Sequence, residues 1–99
     1  MSKAADQTLG KRVIVSVLGQ DRVGIIAGVA NILSTNTINI LDIRQTILQE
    51  IFTMILIADM ENSKIDLAQL KEMLNQLGDS LGLRIDAQNE EAFRFMHRI

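Results

Sequence analysis

The chain has 99 residues, the size of one compact domain, and 47% of them are hydrophobic, which is enough to build a core. Its formal net charge of −2 argues against nucleic acid as a main partner, because phosphate binding needs clustered Lys and Arg. The absence of cysteine excludes a disulfide framework, a thiolate metal site and a thiol nucleophile.

Residues 1–10 are polar and contain no apolar run, so they predict neither a signal peptide nor a membrane span. We interpret them as a disordered native extension or a cloning remnant. Residues 11–99 are predicted to form a single domain. We expect a location in the reducing cytoplasm.

The first predicted strand, Val13–Leu18, runs into a polar turn. A helix is predicted over Val23–Thr35 with Asp21 as its cap, because N-cap carboxylates accept backbone N–H bonds. Gly24 lets another molecule approach free N–H groups in the first helical turn, and the helix dipole and Arg22 both favour an anion there. The turn is therefore the predicted ligand site.

Asn36 follows this helix where a left-handed residue is expected, a conformation that Asn tolerates comparatively well. The second strand, Ile38–Gln49, is more apolar at its odd positions, and we expect that face to meet the helices. The pair Gln49–Glu50 predicts a tight hairpin. The third strand, Ile51–Ala58, is apolar on both faces apart from Thr53, which is typical of a strand buried on both sides. A second copy of the chain is the simplest cover for the face without helices.

The second helix has clear signals at both ends. Asp66 and Gln69 stand at capping-box spacing, and Ile65 can pack on Leu70 as a hydrophobic staple. Gly82 is predicted to end the helix. The apolar stripe has spacings of three and four and contains Leu67, Leu70, Leu74, Leu77 and Leu81.

A fourth strand is predicted over Leu83–Gln88, and Glu90–Ile99 predicts a short amphipathic helix with Phe93 and Met96 one turn apart. This βαββαβ order predicts an α+β, ferredoxin-like fold, a four-stranded antiparallel sheet with two helices on one face. Right-handed crossovers place the first and third strands at the centre of the sheet.

Four groups of residues carry a resemblance to a known family: Gly19-x-Asp21-Arg22-x-Gly24-Ile25-Ile26, Ala27-x-x-Ala30-x-x-Leu33, Ile38-Asn39-Ile40 and Asp42-Ile43-x-Gln45-Thr46. On these residues the chain resembles stand-alone ACT domains, small modules that sense amino acids, over about residues 12–98. It is most similar to single-domain bacterial ACT proteins. It is also close in pattern to the ACT modules of the glycine-cleavage-system repressor and of formyltetrahydrofolate deformylase. Asn36 departs from the Gly that the family usually has before the second strand.

The resemblance implies an effector site between the first strand–helix loop and an adjacent subunit. Backbone N–H groups near Gly24 would receive a carboxylate, Asp21 would take an ammonium group if it does not cap the helix, and Asn39 would hydrogen-bond from the second strand. The candidate ligand-binding residues are Gly19, Gln20, Asp21, Arg22, Val23, Gly24, Ile25 and Asn39. The alternative is a capped turn whose glycines only serve packing, with Asn39 as a strand-edge hydrogen bonder.

The remaining residues that were candidates for a function give weaker signals. Asp42, Arg44 and Gln45 form either a solvated or subunit-facing patch or a set that recognises polar ligand atoms across a dimer interface. The only histidine, His97, is expected at the surface, and the methionines are expected to fill the core. We expect no metal and no cofactor.

The leading hypothesis is a non-enzymatic sensor that forms a homodimer or higher oligomer, binds a small metabolite such as an amino acid, and relays its presence to a protein partner. We expect no nucleic-acid or membrane role. A second hypothesis is an interaction module that binds no ligand. A third is acylphosphatase-like hydrolysis with Arg22 on the phosphate and Asn39 orienting water, although Asp21 would repel a phosphate.

Overall fold

The computed structural model describes residues 11–96, which form four strands and three helices. The expectations for residues 1–10 and for His97 lie outside the described residues. In chain order the elements are β1 (Arg12–Gln20), α1 (Ile25–Thr35), β2 (Asn39–Leu48), β3 (Ile51–Asp59), α2 (Leu67–Leu81), β4 (Leu83–Asn89) and α3 (Glu90–Met96).

The four strands form one antiparallel sheet in the order β2-β3-β1-β4. The predicted α+β, ferredoxin-like fold is confirmed, and so is the central position of the first and third strands. β1 pairs with a strand on each side, since Val17 lies opposite Met54 of β3 and opposite Ile85 of β4. These three side chains point to the same face because directly opposed residues of a sheet share a face.

The core lies between this face of the sheet and the two helices α1 and α2. The largest completely buried side chains come from all of these elements and include Val15, Val17, Val29, Leu33, Met54, Leu56, Leu70 and Leu74. Each buried side chain of this size contributes roughly 1.5–3 kcal/mol relative to leaving it exposed. The core therefore consists of aliphatic residues and Met, with Phe52 as its aromatic member.

The local signals around α2 are confirmed. The Asp66 carboxylate accepts from the Gln69 N–H at 2.8 Å, and the Gln69 side chain accepts from the Asp66 N–H at 3.0 Å. Gly82 ends the helix in the left-handed region with φ 70°, and its N–H donates to the Gly78 carbonyl. On the leucine stripe, Leu70 and Leu74 are completely buried.

The expectation that β3 is buried on both faces is wrong for the single chain. Phe52, Met54 and Leu56 are buried under the helices, but on the opposite face Ile51 is 51% exposed and Ile55 is 41% exposed. The reason is that both large helices lie on one face. The opposite face of β3 is therefore largely left to solvent in the single chain.

The expectation for the odd positions of β2 is confirmed for the side of the sheet on which Ile43 and Ile47 lie, but not for their burial under the helices. Ile43 and Ile47 do lie on the helix side, since they pair with the buried Leu56 and Phe52, yet all ten residues of the strand are exposed. β2 is the edge of the sheet beyond the area that α1 and α2 cover, and no residue of this strand belongs to the core of the described chain. The register also shifts between Ile40 and Asp42, which leaves Leu41 unpaired in a bulge.

Asn36 does not adopt the left-handed conformation that the sequence predicts. Its φ is −101°, and the left-handed residue is Thr37 with φ 61°. The Asn36 side chain instead donates to the Ile32 carbonyl at 2.8 Å, so it satisfies an acceptor at the end of α1. The turn into β2 therefore depends on a β-branched residue in a conformation that such residues rarely adopt.

The predicted last helix is present as α3, and it lies on the sheet face opposite to α1 and α2. Phe93 and Met96 line one cavity together with Leu18 and Ile55, whose side chains are on that face. The helix is held at its start by Glu90, which is buried (4% exposed).

Two arginines pair with the Glu90 carboxylate. Arg12 of β1 approaches it to 3.0 Å and Arg94, one turn further along α3, approaches it to 3.1 Å. The Arg12 side chain is 24% exposed, whereas that of Arg94 is 72% exposed. Water screens the outer pair much more than the inner one, so Arg12 is the main partner of this carboxylate.

We therefore expect Arg12→Met to lower the free energy of unfolding by about 2–3 kcal/mol, because it leaves a buried carboxylate with only a solvated partner. The matched change Arg94→Met should cost less than about 1 kcal/mol, as for other exposed pairs. Urea unfolding followed by circular dichroism measures both. Equal losses in the two variants would contradict this assignment.

Candidate functional site

The loop between β1 and α1 is tied to the hairpin between β2 and β3. The Asp21 N–H donates to the Glu50 carbonyl at 2.9 Å. Gln49 and Glu50 both have positive φ, 50° and 74°, as the central residues of a type I′ turn do, so the predicted hairpin is confirmed. The bond fixes where the loop leaves the sheet.

Asp21 does not cap α1, so that prediction is wrong. The N-cap residue is Gly24, with φ 96° and no side-chain hydrogen bond, and the helix begins at Ile25. The first helical bond runs from the Gly28 N–H to the Gly24 carbonyl at 2.9 Å. The left-handed Gly24 starts the helix three residues after Asp21, which leaves the Asp21 carboxylate exposed and free of a capping role.

The N-terminus of α1 consequently has no acidic or capping side chain among the described residues. The N–H groups of its first turn have no partner within a helix, and the helix dipole places partial positive charge there. An added Cβ at Gly24 would meet no atom within 4 Å, so the space in front of this helix end is open. Positive φ is the reason for a glycine here.

Gly19 has a different reason to be glycine. A Cβ at this position would lie 2.5 Å from Leu83 Cδ2 and 3.3 Å from Leu83 Cα. The absence of a side chain at Gly19 therefore lets β4 start close against the end of β1. Gly19 therefore serves packing between β1 and β4, as the alternative to a ligand-binding role predicts.

Arg22 binds the far end of α2. Its Nη1 donates to the Leu81 carbonyl at 2.6 Å, which satisfies one of the last acceptors of that helix and places a cation at the negative end of its dipole. A guanidinium carries five N–H donors, so this bond leaves others for a ligand.

An open cavity of about 460 Å³ lies beside the loop, and we call it the loop cavity. It is lined by Gln20, Asp21, Arg22, Leu81 and Gly82. An acidic and a basic residue, Asp21 and Arg22, thus line the same space. Val23, just outside it, is 96% exposed, whereas Ile25 is buried in the core.

The loop residues lie together, but Asn39 does not join them within one chain. Gln20 pairs with Ile51 at one end of β3, and Asn39 pairs with Asp59 at the other end. Eight residues of extended strand separate the two ends, about 26 Å. The acylphosphatase-like alternative loses its basis here, because Arg22 and Asn39 are too far apart to act on one phosphate.

The polar residues of β2 divide between the two faces of the sheet. Asp42 and Arg44 lie on the face away from α1 and α2, and Gln45 lies on the helix side opposite Met54. Asp42 Oδ1 accepts from the Ile43 N–H at 2.8 Å. All of them are exposed, as a solvated or subunit-facing patch requires.

Within residues 11–96 the structure has no group of three or more His, Cys, Asp or Glu side chains placed to hold a metal ion. None of the helices described is both long enough and apolar enough to cross a bilayer.

Comparison with known proteins gives consistent matches. The ACT domain profile matches residues 11–88. The UPF0237 protein of Methanocaldococcus jannaschii is 50% identical over 88 residues, which covers 89% of this chain and 98% of that protein. The structure of an ACT domain protein from Streptococcus pneumoniae is similar with a TM-score of 0.72 and 34% identity, covering 83% of this chain and 92% of that one.

A more distant likeness supports the fold alone. A formyltetrahydrofolate deformylase from Pseudomonas syringae matches with a TM-score of 0.73 and 19% identity, covering 88% of this chain and 31% of that one. A glycine-cleavage-system transcriptional repressor matches with a TM-score of 0.66 and 22% identity over 78% of this chain and 44% of that one. Both resemblances that the sequence suggested are confirmed at the level of fold.

The two aspartates that precede helices should differ in their effect on stability. We expect Asp66→Ala to lower the free energy of unfolding by about 1 kcal/mol, because it removes a capping box. Asp21→Ala should change it by less than about 0.5 kcal/mol, because this exposed carboxylate caps nothing. Urea unfolding of both variants is the measurement, and a loss at Asp21 as large as at Asp66 would restore the capping assignment.

Proposed function

We propose a regulatory function for this chain, which belongs to the ACT domain family. In this proposal it is a cytoplasmic, non-enzymatic module. It binds an amino acid at the place where its loop cavity meets a second copy of the chain. Members of the family are typically regulatory and bind small ligands. The observation that carries the proposal is the loop cavity itself, which Asp21 and Arg22 line beside a helix N-terminus without a side-chain cap.

The charges at the loop suit a zwitterion. A ligand carboxylate would accept from the first-turn N–H groups after Gly24 and from the donors of Arg22 that Leu81 does not use. A ligand ammonium would pair with the Asp21 carboxylate, which is exposed and has no capping role. An anion without an ammonium group would meet repulsion from Asp21, so an amino acid fits better than a phosphate.

The exposed edge strand β2 supports the second copy. Unpaired strand edges with apolar side chains pair readily with another strand, and here Ile43, Ile47 and Leu48 are all exposed. Asp42 and Arg44 stand two residues apart on one face. If two β2 strands pair antiparallel about a twofold axis at Ile43, Asp42 of each chain lies directly opposite Arg44 of the other. Opposite charges in this position stabilise a strand pair.

The same pairing accounts for Asn39. In an antiparallel β2 pair, the Asn39 end of one strand lies beside the Leu48 end of the other, next to the hairpin residue Glu50 that holds Asp21. Asn39 from the second copy would thereby reach the sheet end that carries the loop. The residues that line the loop cavity would then share one composite site with Asn39, which is contributed across the interface.

A ligand-independent interaction module is the second candidate function. It is favoured by Gly19 and Arg22, which both have structural contacts that explain them without a ligand. The two candidates share the dimer and differ only in whether the loop cavity binds a metabolite.

We expect at least one of the twenty amino acids to raise the melting temperature at about 10 mM, because a ligand that binds only the folded state stabilises it. Isothermal titration calorimetry with that amino acid should then show at least tenfold weaker binding for Asp21→Ala and for Arg22→Met, which remove the two charges of the cavity. Glu72→Ala, an exposed change on α2, is the matched control and should bind normally. No stabilisation by any amino acid would favour the ligand-independent module.

The interface is tested separately by charge reversal on β2. Asp42→Arg should weaken the dimer about tenfold, because it places like charges opposite each other twice across the twofold axis. The double variant Asp42→Arg with Arg44→Asp should restore it, and Glu72→Arg should leave it unchanged. Sedimentation equilibrium gives the dimer dissociation constants. Failure of the double variant to recover would exclude this register, and a wild-type monomer at micromolar concentration would exclude the dimer.

A further inference from the structure

A second cavity adjoins the loop cavity where β1 ends and the hairpin between β2 and β3 turns, and we call it the hairpin cavity. Its volume is about 470 Å³, and it is lined by Leu18, Gly19, Gln20, Gln49, Glu50 and Ile51. Gln20 also lines the loop cavity. The two cavities therefore meet at the end of β1, and one small molecule can extend from the first into the second.

The hairpin cavity has an apolar floor. Gln20 pairs with Ile51 across β1 and β3, and Leu18 lies two residues before Gln20, so these three side chains share the sheet face opposite to α1 and α2. Leu18 is 50% exposed and Ile51 is 51% exposed. A ligand group that covers these two side chains removes apolar surface from water, so the floor favours a hydrocarbon group.

The two cavities are held together by a hydrogen bond of the main chain. The Asp21 N–H of the loop donates to the carbonyl of Glu50, a residue that lines the hairpin cavity, at 2.9 Å. An amino acid whose ammonium and carboxylate groups bind at Asp21 and Arg22 thus lies beside both Gln20 and the hairpin. Its side chain can then enter the hairpin cavity.

The charge of the lining restricts which side chain fits. Of the described lining residues, Glu50 alone is charged, and Asp21 adds a second negative charge in the neighbouring loop. Both disfavour an acidic side chain. A basic side chain gains little from Glu50, because this residue is exposed at the turn and exposed ion pairs contribute little. The hydrocarbon part of the ligand is therefore what the cavity distinguishes.

We infer that the hairpin cavity selects the side chain of the bound amino acid, and that the ligand is an aliphatic amino acid of the size of valine, leucine or isoleucine. This inference rests on the proposed function, because the head group of the ligand binds at the loop cavity. Leu18 and Ile51 contribute affinity in proportion to the apolar area that the side chain covers. Asp21 and Arg22 contribute equally for every amino acid.

A series of ligands that differ by one methylene group tests this selection. Alanine, 2-aminobutyrate, norvaline and norleucine share one head group, and isothermal titration calorimetry of the full chain gives their affinities. We expect the affinity to rise about two- to threefold with each added carbon, less than the roughly fourfold of complete burial, because the cavity is open. Lysine, which adds an ammonium group to the side chain of norleucine, should bind no more tightly than norleucine.

Three apolar variants and one charge variant separate the side-chain contact from the head-group contact. Ile51→Ser and Leu18→Ser should each flatten the rise in affinity, because each removes part of the floor. Ile55→Ser is the matched control and should keep the rise, since Ile55 lies on the same face of β3 and is 41% exposed but does not line the hairpin cavity. Asp21→Ala should weaken every ligand of the series by the same factor and leave the rise unchanged.

Failure of this inference is distinguishable from failure of the proposed function. Equal affinities across the series, tighter binding of lysine than of norleucine, or a rise that survives both Ile51→Ser and Leu18→Ser would overturn the inference alone. Absence of binding by every amino acid would overturn the proposed function and the inference together.

Discussion

The antiparallel pairing of β1 with β3 is the constraint on which the rest of the molecule depends. Because Val17 and Met54 are paired, their side chains point to the same face of the sheet, into the core under α1 and α2. The same register brings Gln20 beside Ile51, so that the Asp21 N–H reaches the Glu50 carbonyl. One set of strand contacts therefore determines both where the core lies and where the loop leaves the sheet.

The two large helices, α1 and α2, cover only one face of the four-stranded sheet. The apolar surface that they leave uncovered lies on the opposite face of the sheet and on the edge strand β2. α3 covers part of the second face, where the buried Glu90 anchors it to β1 through Arg12. The edge strand β2 remains exposed on both faces. The partly covered face keeps an open cavity beside α3, whereas β2 is an open strand edge, which suits pairing with a second chain.

Local sequence patterns predict most of this architecture, because strand alternation, the Asp66–Gln69 capping box and the Gly82 helix end act over a few residues. The errors arise where a distant contact decides. The burial of β3 depends on which helices cover each face of the sheet. The hydrogen bond from Arg22 to the Leu81 carbonyl joins residues that are 59 positions apart. The predicted start of α1 is wrong because the left-handed Gly24, rather than the Asp21 carboxylate, determines where the first turn begins.

Arg22 also provides a physical route from the proposed ligand to the rest of the fold. Its guanidinium is bound to the last turn of α2, directly before Gly82 and the start of β4. A ligand carboxylate at the loop would share that guanidinium and reduce the positive charge available to the helix end. Leu83, the next residue, packs against Gly19 at the end of β1. A ligand in the loop cavity would thus act on the junction between α2 and β4 as well as on the loop, and this junction is the part of the structure through which occupancy would be transmitted.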